Sequence, residues 1–232
     1  MGTIFVNEDG YEMPFQLLPP LSDKELERLQ NRIPCSIPHE MLEVFRFARG
    51  FEGGPLESVA FAGTKGGFGM EEIFPCQITV ASDGFGNFWT VDLTKESKTW
   101  GPIFYACHDA PVVVYQTDSL VHFVEEALRF GNRPWKSEIN DVHERLSDRV
   151  WSENPGVISY ADCIAGNDPD LTAFASSLDE SWEFNDLRSP QIGDGFSWGR
   201  YGPKTVNRRF GEKRIFARQK KSLGRRLLDS LR

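Results

Sequence analysis

No apolar run in this chain approaches the about 18 residues that a membrane-spanning helix needs, so nothing in it is expected to cross a bilayer. The opening Met1-Gly-Thr-Ile-Phe-Val-Asn-Glu-Asp9 carries acids instead of a basic stretch leading into an apolar one, which predicts no secretion signal. Gly2 is followed by Val6, where N-myristoylation needs Ser or Thr. Cys35, Cys76, Cys107 and Cys163 are widely spaced with no Cys-x-x-Cys, the usage expected of reduced thiols in a cytoplasmic protein. His39, His108, His122 and His143 share no metal-ligand spacing, so neither a metal nor a cofactor is expected. No internal repeat is evident.

Catalytic patterns are missing as well. Gly66-Gly-Phe-Gly69 and Gly84-Phe-Gly86 lead into no Gly-Lys-Ser/Thr, and the second opens a strand, so neither cradles a phosphate. Asp83, Asn87 and Asp92 lack the alternate ligands and closing glutamate of a calcium loop, and they read as turn-shaping residues. Cys107-His108-Asp109 is the best nucleophile-like group, but neighbours on a strand face opposite ways, so Cys107 and His108 do not readily meet. Glu71-Glu72, Glu125-Glu126 and Asp179-Glu180 offer no acid–base pair without geometry. The expectation is a protein that is not an enzyme.

What the chain does have is enough apolar residue, 40% of 232, for a real core. That length allows one large domain, or a domain of about 130 residues with an extension. Ser22-Asp-Lys-Glu25 is a capping-box pattern, with Leu26, Leu29 and Ile33 at helical spacing behind it and Pro34 as the stop. Pro38 suits the first turn of a second helix, with Met41, Phe45 and Ala48 on one face and Gly50 as its predicted stop. Glu52-Gly-Gly-Pro55 reads as a loop. Strands are predicted at Ser58 to Phe61, Gln77 to Ser82, Phe88 to Leu93, Ile103 to Cys107 and Val112 to Tyr115. Asp83, Gly84, Gly86 and Asn87 tolerate the left-handed backbone of a tight reversal, so the second and third of these strands form a hairpin. Its alternation places Trp89, Val91 and Leu93 in the core, with Phe88, Thr90 and Asp92 on the other side. Leu120, Phe123, Val124, Ala127 and Leu128 then mark a helix ended by Gly131.

This order resembles the SUKH superfamily of bacterial immunity proteins and fungal cell-wall-synthesis regulators. The resemblance rests on the paired helices with Ile33-Pro34 and Ala48-Arg-Gly-Phe51, on Ser82-Asp-Gly-Phe-Gly-Asn87, and on Ala110-Pro-Val-Val-Val114 before the last helix. It covers about residues 21–131, through motifs that are loose patterns of glycine, aromatic and apolar positions. The expected fold is α+β: N-terminal helices, a central mainly antiparallel sheet and a helix after the last strand, followed by a C-terminal extension. The resemblance implies a binding protein that holds a cognate toxin, often a nuclease, inactive in the cytoplasm of the producing cell.

The remainder is less regular. Residues 1–131 are expected to form the SUKH-like domain, 132–199 an acidic, partly helical extension, and 200–232 a basic tail packed on the body. Short helices are predicted at Ile139 to Val150, at Leu171 to Ser177 and near Ser222 to Leu231, with Gly193 to Pro203 as an aromatic, glycine-rich loop. Residues 200–232 hold 12 of the 26 Lys and Arg but only two of the 34 acids, a balance of +10 against −18 for residues 1–199. A body of that charge attracts a cationic partner, such as the basic toxin that the resemblance implies. Exposed acids near the hairpin and the segment before it, Glu71, Glu72, Asp83 and Asp92, are the candidate contacts. The tail interleaves its bases with Phe210, Ile215 and Phe216. That pattern suits a strap docked on the acidic body, a regulatory scaffold's nucleic-acid-binding arm, or a solvated tail.

Overall fold

The computed structural model describes residues 4–6, 11–54, 56–64, 67–131 and 136–220. The predicted helix near Ser222 to Leu231 lies outside them. The first strands are β1 (Ile4–Val6), β2 (Glu12–Pro14) and β3 (Gln16–Leu17), followed by helices α1 (Asp23–Arg32) and α2 (His39–Phe47). Then come β4 (Gly50–Glu52), β5 (Ser58–Ala60), β6 (Gln77–Ser82), β7 (Phe88–Asp92), β8 (Ile103–Cys107), β9 (Val112–Thr117) and α3 (Leu120–Phe130). A composite helix follows: α4 (Glu138–Asn140), a π-helical stretch Asp141–Leu146, and α5 (Ser147–Glu153). The chain continues through β10 (Val157–Ser159), α6 (Tyr160–Ala165), α7 (Pro169–Ser176), β11 (Trp182–Asp186), β12 (Gly195–Phe196), β13 (Asn207–Arg209) and β14 (Ile215–Gln219).

The architecture is α+β: β1 and β2 form a separate antiparallel pair, and two further sheets are stacked between two sets of helices. The larger sheet is antiparallel, in the order β12-β9-β8-β7-β6-β5-β4-β3, and the smaller one runs β10-β11-β14-β13. Alternation along the strands assigns each layer its side chains. Ile103, Tyr105 and Cys107 of β8, and Val112 and Val114 of β9, face the helical core of Leu26, Leu29, Met41, Phe45, Phe123, Ile139 and Val150. Phe104, Ala106 and Val113 face the opposite way, into a layer shared with Phe74, Phe196 and Phe216. On β14 the pattern repeats: Phe216 joins that middle layer while Ile215 and Ala217 pack on Phe174 and Cys163 of α7 and α6.

The capping box at α1 is formed, with Glu25 accepting from the Ser22 amide at 2.8 Å and its hydroxyl at 2.6 Å. Gly50 departs from expectation. It does not stop α2, which ends at Phe47 with Ala48 already extended; Gly50 opens β4 instead. A Cβ on Gly50 would come 2.0 Å from the Val59 carbonyl oxygen, so the close pairing of β4 with β5 requires glycine there. Among the described residues no helix is long and apolar enough to cross a membrane.

Strands continue well past α3, which corrects the expected extension. β12 lies within the supposed glycine-rich loop and pairs with β9, while β10, β11, β13 and β14 build the second sheet. Residues 207–219 of the basic segment are therefore sheet strands and their connecting turn, and Arg218 is fully buried.

Candidate functional site

Trp89, Val91 and Leu93 are buried in the helical core as expected, but Thr90 and Asp92 on the opposite face are buried just as completely. The second sheet and its β13–β14 turn cover Asp92. Asp92 accepts both terminal nitrogens of Arg209, at 2.7 and 3.0 Å, and Nε of Arg214 at 2.7 Å. With no exposed surface it is a structural anion, and its place as an exposed partner contact is overturned. Glu71 and Glu72 are exposed, beside Ile73 and Phe74, which enter the middle layer. Glu72 borders a recess of about 520 Å³ with Phe174, Arg208 and Phe210. Of the four candidate acids, Asp83 alone belongs to the hairpin tip.

Asp83 organises that tip. Its Oδ1 accepts from the backbone N–H groups of Phe85 (2.8 Å) and Asn87 (3.1 Å), the local side-chain bonding that makes Asp a turn residue. Its Oδ2 accepts from Asn87 Nδ2 at 2.6 Å and lies 3.0 Å from His143 Nε2. The carboxylate is only 7% exposed, so it too is no open contact for a partner. Burial alone would raise its pKa, but the bonds from His143, Asn87 and the two amides outweigh that and hold it at about 2. Asn87, its nitrogen fixed on Asp83, turns Oδ1 to the His108 amide and to His108 Nδ1, each at 3.1 Å. His108 Nε2 in turn lies 3.1 Å from Asp109.

On the other side of the turn, His143 comes from the π-helical stretch, where one extra residue per turn is inserted. Its ring stacks on Trp89 (centroids 6.0 Å apart, planes at 16°) and sits 5.2 Å from Tyr105. Nδ1 is 2.6 Å from Glu144 Oε1, and Ser147 Oγ donates to the His143 carbonyl at 2.6 Å, anchoring the backbone. A continuous polar chain Glu144-His143-Asp83-Asn87-His108-Asp109 thus clamps the hairpin turn between the composite helix and the β8–β9 turn.

The clamp displays Phe85. Gly84 (φ 81°) and Gly86 (φ 91°) take the left-handed conformations flanking it, and the ring is 79% exposed. Three exposed acids connect to the turn, one directly and two through a histidine. Glu57 accepts from Ser82 Oγ at 2.7 Å and lies against Gly84, Asp109 stands on His108, which packs on Gly86, and Glu144 stands on His143. Sequence reasoning missed all four. The Gly-Phe-Gly between Asp83 and Asn87 was the available signal, because an apolar ring at the apex of a two-glycine turn has no core within reach.

Beside the tip, Ser82, Glu57 and Phe88 also border a groove of about 930 Å³ between α1 and the β3–β5 edge. Arg28, Arg32, Arg49, Glu25, Glu52 and Glu57 line it, so its charges balance. Arg49 lies 3.6 Å from Glu25, and Arg32 donates to the Ala62 carbonyl at 2.7 Å. It presents no field of one sign to a ligand. Cys107 is buried against Tyr105, while His108 points outward, so no Cys–His pair forms. All four cysteines are unpaired, and no cluster of metal-ligating side chains occurs among the described residues. Scans of protein-family models, of curated proteins and of solved structures find no match to this chain.

Proposed function

We propose that this chain is a non-enzymatic binding protein that engages a basic protein partner through the hairpin tip. Phe85 is the apolar anchor, and Glu57, Asp109 and Glu144 are the acidic rim. The observation that carries the reading is the 79% exposure of Phe85 on a turn braced by four contacts to one carboxylate. Rigid aromatic anchors dominate protein interfaces, whereas rim charges mainly speed encounter. Together with the SUKH resemblance of residues 21–131, this favours an immunity-type inhibitor acting in the cytoplasm, the cationic cleft of a nuclease toxin being a natural complement.

The rival, a scaffold with a nucleic-acid-binding tail, is weakened because Arg209, Arg214 and Arg218 are spent on Asp92 and Glu183. The test is co-expression with the protein encoded by the adjacent reading frame. The proposal expects this chain to rescue growth from a toxic neighbour, and the Phe85→Ala chain, equally abundant, to fail. Rescue that survives Phe85→Ala together with Glu57, Asp109 and Glu144 reversed to Lys would refute the tip as the contact.

A further inference from the structure

β13 is an edge strand, and its bonds to β14 show which of its groups are left over. Phe210 donates to the Ile215 carbonyl at 3.0 Å, and Gln219 donates to the Val206 carbonyl at 2.9 Å. Antiparallel pairs alternate between hydrogen-bonded and non-bonded. Arg208 is therefore the bonded residue between those two, and the backbone N–H and C=O of Asn207 and Arg209 point away from β14. None of these four groups has a partner among the described residues. At Asn207, which is 6% exposed, they also see little water, and its side-chain Oδ1 is unpartnered as well. Backbone groups left in that state favour whatever can pair with them.

The recess of about 520 Å³ runs along this edge. Val206 to Phe210 line it in succession, and Phe174, Ser177 and Leu178 at the end of α7 complete it with Glu72. Alternation puts Arg208 and Phe210 on one face of β13. There Arg208 lies over the Trp182 ring at 5.7 Å, and Phe210 stacks on Phe174 with centroids 5.1 Å apart. Arg208 is exposed, and no carboxylate among the described residues pairs with it, Glu72 included. We propose that this edge takes up an extended acidic peptide as a further strand. Its main chain bonds Asn207 and Arg209, a carboxylate side chain lies opposite Arg208, and an apolar one two residues away meets Phe210 and Phe174. A second copy of this chain fits poorly. The two-fold register that uses both free residues of each copy sets Arg208 opposite Arg208, like charge against like. The same arginine keeps basic strands off the edge while admitting an acidic one.

The experiment titrates the full chain, followed by amide NMR, with the acetylated and amidated peptide Thr-Leu-Thr-Glu-Thr-Val-Thr. Saturable shifts should appear at the Asn207 and Arg209 amides, and their exchange should slow by about threefold or more when the peptide is bound. The same peptide with Lys in place of Glu should bind about threefold or more weakly, the scale of an exposed ion pair. That order should reverse in Arg208→Glu, a change at an exposed site, while Phe85→Ala should bind both peptides as the unaltered chain does. No saturable shift up to about 1 mM peptide overturns the proposal. So does an affinity indifferent to the peptide's charge and to Arg208→Glu. Asn207 and Arg209 amides that become protected without peptide as protein concentration rises would assign the edge to a second copy instead. The tip plays no part in this titration, so its failure as a contact surface leaves the edge standing.

Discussion

Two buried side chains test how the strands of the larger sheet are held. Trp89 has no exposed surface and donates its Nε1 hydrogen to Gln116 at 3.2 Å. Trp89→Ala removes a large ring from a packed core and should cost about 3–5 kcal/mol in urea unfolding. Asp92→Ala leaves Arg209, 3% exposed, as an uncompensated buried cation, which should cost a similar amount, about 3–5 kcal/mol. If the Asp92 pair were mere surface decoration, the loss would stay below about 1 kcal/mol. Alternation along β7 correctly separated Trp89 from Asp92. It could not say that the second face was covered, because the partners of Asp92 lie 117 and 122 residues away. A carboxylate at an outward strand position looks the same in sequence whether water or an arginine receives it.

The hairpin was legible as an element because its signals are local: two alternating strands and a glycine-rich reversal with Asp83 and Asn87 at its ends. The clamp was not, since His143 and His108 arrive from other elements. Phe85→Ser should alter stability by no more than about 0.5 kcal/mol, as the ring buries little, and yet abolish partner binding. Acid should loosen the turn in a defined window. The folded pKa of Asp83 is depressed to about 2, so its stabilisation is complete above its ordinary pKa of 3.8 and lost as pH falls through about 2. A chain carrying Asp83→Asn should lack that part of the acid transition, losing of the order of 2 kcal/mol of stability at neutral pH. His143 has the opposite sign. Its raised pKa contributes stability below the ordinary histidine value that is lost as pH rises, so His143→Gln should cost more at pH 6 than at pH 9.

At the scale of the molecule, α1, α2, α3 and β5 to β9 follow from capping, proline stops and periodicity, whereas β1 to β4, two or three residues each, do not. Nor does the second sheet. β10, β12 and β13 are two or three residues long, too short for alternation to register, and β11 and β14 carry buried Glu183, Asn185 and Arg218, which interrupt any apolar pattern. Those polar residues satisfy one another: Arg218 donates to Glu183 at 2.6 Å, Asn185 at 3.2 Å and Asn154 at 2.8 Å. Residues 207–219 of the basic segment are anchored by strand pairing and buried ion pairs. A chain ending at Gly131 would lack the cover over Phe104, Val113 and Asp92, and it should be insoluble or partly unfolded by circular dichroism and gel filtration.

The direct measurement of the central claim is the dissociation constant between this chain and the product of its adjacent reading frame, set beside that of Phe85→Ala. The account predicts a loss of about 30-fold or more on removing the ring, with the fold unchanged by circular dichroism. An affinity that is the same with and without Phe85 would contradict it.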